Sequence, residues 1–174
     1  EKFYEYVEAF GFFDKTGIDL PGESGSIWWP KQTFLNKKNL SQLAAASFGQ
    51  TFNITPVQLV MAVSATVNGG KLMKPYIVKE ITNPDGTAQV VNQPTVVRQV
   101  ISENTSRLVR EILESIVCDE EGTGKNAYVP GYRVGGKTGT SEKVAQDVRN
   151  EGAPKEYIVS FLGVAPMEDP QIAI

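Results

Sequence analysis

The 174-residue chain contains no histidine. Ser-His-Asp and Cys-His nucleophilic machinery are therefore excluded within it, as are all histidine-based metal centres. Proton transfer must use lysine, a carboxylate, tyrosine, a hydroxyl or water. The single cysteine, Cys118, rules out an internal disulfide. No apolar run approaches the length of a membrane span. Neither sign of charge dominates: the net charge is −3 and no basic stripe stands out, so no nucleic-acid partner is expected. An apolar fraction of 41% is enough, at this length, for one domain with a core.

Against those absences stands one concentrated stretch. Tyr132-Arg133-Val134-Gly135-Gly136-Lys137-Thr138-Gly139-Thr140 reads as a strand whose far half carries a cation, two hydroxyls and little bulk. Glycines there let another backbone approach, and such a strand can pair with an extended peptide by main-chain hydrogen bonds. Lys137 can attract a carboxylate, while Thr138 and Thr140 can donate to it. Lys-Thr-Gly also occurs at Lys15-Thr16-Gly17, between an apolar stretch and a Pro-Gly turn, where it reads as a loop without chemistry. Gly131 to Thr138 also fits G-x-x-x-x-G-K-[ST], a phosphate-binding loop. That loop requires a buried strand before its first glycine and a helix opening at its lysine. Asn126-Ala127-Tyr128-Val129-Pro130 is too polar and ends on a residue that cannot donate to a ladder. The strand is preferred.

Elsewhere, Phe3, Val7, Phe10 and Phe13 are spaced as one helix face over Lys2 to Phe13. Residues 14–40 are turn-rich, including Asn36-Lys37-Lys38-Asn39; within them Trp28-Trp29 either lines a groove or pins the loop. Thr55-Pro56-Val57-Gln58 predicts a capped helix start, with Leu59, Val60, Val63 and Val67 as its buried stripe and Gly69-Gly70 as its end. Lys71 to Thr82 reads as one strand, Asn83-Pro84-Asp85-Gly86 as a turn and Ala88 to Val91 as a second strand, so residues 71–95 are expected to form a surface hairpin. Ser102 caps a long helix whose stripe is Leu108, Val109, Ile112, Leu113, Ile116 and Val117. Tyr157 to Val164 is apolar on both faces, as in a strand covered by helices on both sides. Pro166-Met167-Glu168-Asp169-Pro170 then makes the last two strands antiparallel neighbours.

Several blocks occur in a set order: Thr16-Gly17-Ile18-Asp19-Leu20-Pro21-Gly22-Glu23, Ser47-Phe48-Gly49-Gln50, Thr55 to Gln58, Gly122-Thr123-Gly124-Lys125-Asn126-Ala127, Pro130-Gly131-Tyr132, and Gly135 to Thr140. In that order the chain resembles class B penicillin-binding proteins, most closely the Gram-positive division and sporulation members. The resemblance implies an α/β (α+β) fold of the penicillin-binding transpeptidase and serine β-lactamase type, an antiparallel sheet with helices on both faces. Residues 1–174 would be the C-terminal portion of that domain, a fragment of it. The family's nucleophile motif, Ser-x-x-Lys, is missing: no serine here has a lysine three residues on. Ser102-Glu103-Asn104 matches the second motif, Ser-x-Asn, by letters, but the family places that motif well upstream of these blocks; Ser102 reads as an N-cap.

The resemblance implies a serine acyl-enzyme D,D-transpeptidase acting on D-Ala-D-Ala stem peptides of peptidoglycan and inhibited by β-lactams. Lys137 and Thr140 would be catalytic, and Gly136, Lys137, Thr138, Gly139 and Thr140 would bind substrate. Thr140 would supply half of the oxyanion hole through its N–H. Implied partners are the rest of the transpeptidase domain, with its serine, and a membrane glycosyltransferase of the elongation, division or sporulation machinery. The implied location is the extracytoplasmic face of the bacterial membrane, anchored by an N-terminal helix absent from this chain. A non-catalytic penicillin-recognising relative is the rival. No cofactor is required. Cys118-Asp119-Glu120-Glu121 sets a thiol beside three carboxylates, so Cys118 and Asp119 are candidate ligands of a structural zinc; the other reading is an idle cysteine before a solvated acidic turn.

Overall fold

The computed structural model describes residues 1–36, 38, 40–142 and 156–174. The turn expected over Asn36–Asn39 includes Lys37 and Asn39, which lie outside the described residues. The chain divides into two compact units, Glu1–Arg107 and Leu108–Ile174.

The first unit begins with α1 (Lys2–Ala9), α2 (Lys31–Phe34), α3 (Ser41–Ser47) and α4 (Pro56–Val67). α4 starts where local chemistry dictates. Thr55 Oγ1 accepts from the Gln58 amide at 3.3 Å, and Gln58 Oε1 accepts from the Thr55 amide at 2.9 Å, a reciprocal cap with Pro56 at the first helical position. Gln58 is fully buried, and its Nε2 also donates to the Asp14 carbonyl at 2.7 Å. The buried face of α4 is Gln58, Met61, Ala62, Ala65 and Val67, displaced from the expected stripe, and Leu59 is exposed. Met61, Ala65 and Leu72 form the core with Phe10 and Val100 against them. The helix ends at Val67 and Gly70 turns the chain into β1 at φ +90°; a Cβ there would lie 1.9 Å from the Ile101 carbonyl oxygen, so only glycine fits. Trp28 pins its loop: it stacks on Phe52 at 4.1 Å and meets Phe13 edge-on at 5.5 Å.

The expected strand over Lys71 to Thr82 is two strands. β1 (Lys71–Met73) pairs antiparallel with β4 (Val96–Gln99), and β2 (Glu80–Thr82) pairs antiparallel with β3 (Ala88–Val91). Pro75 breaks the run, since it offers no N–H to a ladder. The Asn83–Gly86 turn is as expected, with the Gly86 amide donating to Asn83 at 2.9 Å.

α5 (Glu103–Cys118) starts at Ser102, whose Oγ accepts from the Thr105 amide at 3.1 Å; the unit boundary falls inside this helix. Of its expected stripe Val117 is buried, whereas Leu108 and Ile112 are exposed.

In the second unit β5 (Gly135–Glu142), β6 (Tyr157–Ala165) and β7 (Ile172–Ala173) form one antiparallel sheet in the order β5-β6-β7. Val117, Val164 and Met167 are its buried apolar residues. A Cβ on Gly135 would lie 2.6 Å from Met167 Sδ and 3.0 Å from the Leu113 carbonyl carbon, so this glycine lets β5 approach α5 and the β6–β7 turn. Arg133 grips Glu114 of α5 with two bonds of 2.6 Å. The two-sided covering expected of Tyr157 to Val164 is confined to Gly163 and Val164; Tyr157 to Phe161 are exposed, Val159 at 74%. Of these five, Phe161 still places its ring edge against Gly124 and Gly136.

Candidate active site

β5 is an edge strand among the described residues, so no other strand pairs with its outer side there. A strand, not a helix, follows Gly136, which removes the phosphate-loop reading. The register sets Lys137 opposite Leu162, Thr138 opposite Phe161, Gly139 opposite Ser160 and Thr140 opposite Val159. Side chains alternate across a strand, so Gly136, Thr138 and Thr140 share one face and Lys137 the other.

Each expected site residue has a definite setting. Lys137 is exposed, and its Nζ donates to the Thr138 carbonyl at 2.8 Å. Thr140 is exposed and Thr138 half-buried. Gly136 is buried: a Cβ there would meet Phe161 Cζ at 2.3 Å and the Leu162 carbonyl oxygen at 2.5 Å. At Gly139 a Cβ would meet Ser160 Oγ at 2.7 Å. Gly136 is thus required by β6 itself, apart from any approaching ligand, whereas at Gly139 only the Ser160 hydroxyl would have to turn aside.

The block Gly122 to Ala127, expected from the sequence to close the long helix, does follow its end. The chain folds back after α5, with the Gly124 amide donating to the Ile116 carbonyl at 3.0 Å. A 3-10 turn, Lys125–Ala127, follows. The fold-back brings Thr123 Oγ1 to 3.5 Å from Thr138 Oγ1. Thr123, Gly124, Asn126, Ala127, Thr138, Val159, Ser160 and Phe161 line a cavity of about 430 Å³ on this side of β5. The sequence clue was Thr123 standing between two glycines.

Cys118 and Asp119 lie elsewhere. They border or adjoin a separate cavity of about 340 Å³, whose lining includes Glu114, Cys118, Tyr132 and Arg133. Cys118 Sγ lies 3.6 Å from Asp119 Oδ1. Desolvation, the bond to Asp119 and the negative charge of Asp119 and Glu114 push the thiol pKa up, opposite to what a ligating thiolate needs. Among the described residues no three of His, Cys, Asp and Glu gather as a metal site, so the zinc expectation has no support.

The model of the penicillin binding protein transpeptidase domain matches residues 1–174. The chain belongs to this family. It is 48% identical to stage V sporulation protein D of Bacillus subtilis over 175 residues, covering 100% of this chain and 26% of that protein. It is 32% identical to penicillin-binding protein PbpB of Mycolicibacterium smegmatis, covering 27% of it. The chain thus spans about a quarter of the length of these relatives. Among solved structures it superposes on penicillin binding protein 3 of Mycobacterium tuberculosis with a TM-score of 0.84 and 29% identity, covering 99% of this chain and 39% of that one. The same protein complexed with aztreonam matches with a TM-score of 0.83, as does its complex with ampicillin. The fold is accordingly the transpeptidase one, of mixed helix and antiparallel sheet.

Proposed function

We propose that the whole protein is a peptidoglycan D,D-transpeptidase and that β5 is its substrate-docking strand. The observation that carries this is a strand, at the sheet edge among the described residues, with an exposed cation, Lys137, and two hydroxyls, Thr138 and Thr140, along its middle. An extended stem peptide adds to such an edge by main-chain hydrogen bonds. Thr138 and Thr140 hydroxyls then bind the terminal carboxylate, and Lys137 supplies positive charge and helps relay the proton.

The reaction balances as two acyl transfers. A serine hydroxyl outside this chain attacks the carbonyl carbon of the penultimate D-Ala. Its proton passes by way of lysine to the leaving nitrogen, the peptide C–N bond breaks and D-Ala departs. An amine of a second strand attacks the resulting ester, forming the cross-link and returning the proton to the serine. The Thr140 N–H is one donor to the oxyanion in both steps; one such donor is worth about 3–4 kcal/mol of barrier. A β-lactam acylates the same serine by ring opening and has no leaving group to lose.

The uncovered apolar residues Ile158, Val159 and Phe161 support a further reading: they pack against the remainder of the transpeptidase domain. Residues 1–174 are then its C-terminal portion, with 71–95 at its surface. A membrane glycosyltransferase partner and an extracytoplasmic position, tethered by an N-terminal anchor, follow from the same reading. No helix among the described residues is long and apolar enough to cross a membrane.

Labelling the full-length protein with a fluorescent penicillin tests this. One covalent adduct is expected, mapping by mass spectrometry to a serine outside residues 1–174. An adduct on a serine within them would overturn the residue roles, and none at all would leave the non-catalytic relative.

A further inference from the structure

The first residues of β5 have few side chains to hold them in place. Gly135, Gly136 and Gly139 are three of its first five positions, and a glycine offers nothing to key a strand against its neighbours. Among the described residues β6 alone pairs with β5, and that ladder fixes register and spacing. It does not fix the angle at which β5 leaves α5. That end of the strand is tied down by Arg133, two residues before it.

Three elements meet at Arg133. Its Nε donates to Glu114 Oε1 and its Nη2 to Glu114 Oε2, each at 2.6 Å, a planar fork onto α5. Its carbonyl accepts from the Met167 amide at 2.9 Å, in the turn after β6. Its Nη1 lies 3.9 Å from Glu168 Oε2 of the same turn, and the Glu168 carbonyl accepts from Arg110 Nη1 of α5 at 3.2 Å. Helix, turn and strand entry are thus closed into one ring of polar contacts, and Lys137 stands four residues beyond it. An ion pair whose arginine side chain is 55% exposed adds little to stability. Its geometry is another matter: two parallel bonds fix direction as well as distance, which a point charge does not.

Resting on the transpeptidase reading, we propose that Arg133 and Glu114 are positioning residues for acyl transfer: their fork sets the entry of β5 against α5, and so the place of Lys137. They act through the strand rather than on the substrate. Neither lines the cavity of about 430 Å³ beside Thr138, and both line the separate one of about 340 Å³. Acyl transfer depends on alignment at one carbonyl, where a displacement of about 1 Å costs roughly a hundredfold. Docking of an extended ligand is spread over several strand contacts and tolerates such a shift better. The signature of the pair is therefore a slow chemical step with binding and folding nearly unchanged.

The test uses the full-length protein and benzylpenicillin. Saturation kinetics separate the dissociation constant of the initial complex from the acylation rate constant, with thermal unfolding alongside. The variants are Arg133→Lys, which keeps the charge but not the fork, Glu114→Gln, and the two combined. Each single variant should lower the acylation rate constant by roughly ten- to a hundredfold and leave the dissociation constant within about twofold. Unfolding midpoints should stay within about 2–4 °C of wild type, as for other exposed ion pairs. The combined variant should lose no more than the slower single one, because both substitutions break the same fork. An unchanged acylation rate constant overturns the proposal. So does a loss confined to the dissociation constant, a loss accompanied by a larger fall in the midpoint, or losses that multiply in the combined variant. In each of these cases a labelled wild type leaves the transpeptidase reading intact, whereas a wild type that takes no label overturns both.

Discussion

The chain carries Lys-Thr-Gly twice, and the two copies have opposite fates. At Lys15-Thr16-Gly17 the polar groups are consumed within the protein. The Glu23 carboxylate accepts from the Thr16 amide and hydroxyl, each at 2.6 Å, and from the Gly17 amide at 3.0 Å. Gly17 turns the chain at φ +70°. A few residues on, Asp19 accepts from the Ile77 and Val78 amides at 2.7 and 2.8 Å, tying the loop to the segment after β1. At Lys137-Thr138-Gly139 the same letters lie in a strand that is at the sheet edge among the described residues, where the Thr138 hydroxyl has only Thr123, at 3.5 Å. The tripeptide keeps its donors free for a ligand only where no neighbouring carboxylate has already taken them.

The largest expected contrast is kinetic. In the full-length protein Lys137→Ala should slow penicillin acylation by roughly 10²–10⁴-fold, the span of a lost acid–base group, while Lys15→Ala leaves it unchanged. Measured acylation rates that fall equally in both variants would erase the distinction. Stability comes next. Gly136→Ala drives a methyl into the Phe161 ring and the Leu162 carbonyl and should cost about 1–3 kcal/mol. Gly17→Ala meets only Lys74 Cε, at 3.9 Å, but a left-handed backbone, and should cost about 1–2 kcal/mol. Thermal denaturation ranks the two. The smallest effect is in pH. The Thr16 hydroxyl and then the Thr16 and Gly17 amides hold Glu23 below its ordinary pKa. Its contribution is therefore present above the unfolded carboxylate pKa and lost as pH falls through the lower, folded one. The unfolding midpoints of wild type and Glu23→Gln should differ at neutral pH and converge in acid. Thr138→Val, which has no carboxylate partner among the described residues, should show no such convergence.

What was legible in the sequence was what short range decides. Thr55 with Gln58, Ser102 before α5, and the turn Pro166 to Pro170 each involve groups a few residues apart, and each forms as expected. Lys137, Thr138 and Thr140 were legible as a strand because a cation and hydroxyls among glycines suit few other places. Pairing across distance was not legible. β4 went unassigned because Val96–Gln99 is short and finds its partner in Lys71–Met73. Leu108, Ile112 and Tyr157 to Phe161 look like core by pattern, yet periodicity states only that a face is apolar and not what lies against it. Thr123 was hidden for the same reason, since its meeting with Thr138 depends on the fold-back after α5.

Phe161 belongs to neither threonine segment, yet its ring is the common spacer between them. The gap between the two hydroxyls is thus inherited from a residue that bears no polar atom on its side chain. A smaller or differently shaped residue at 161 would retune that gap while leaving both glycine-flanked motifs spelled as they are. A comparison of motifs alone would not notice such a change.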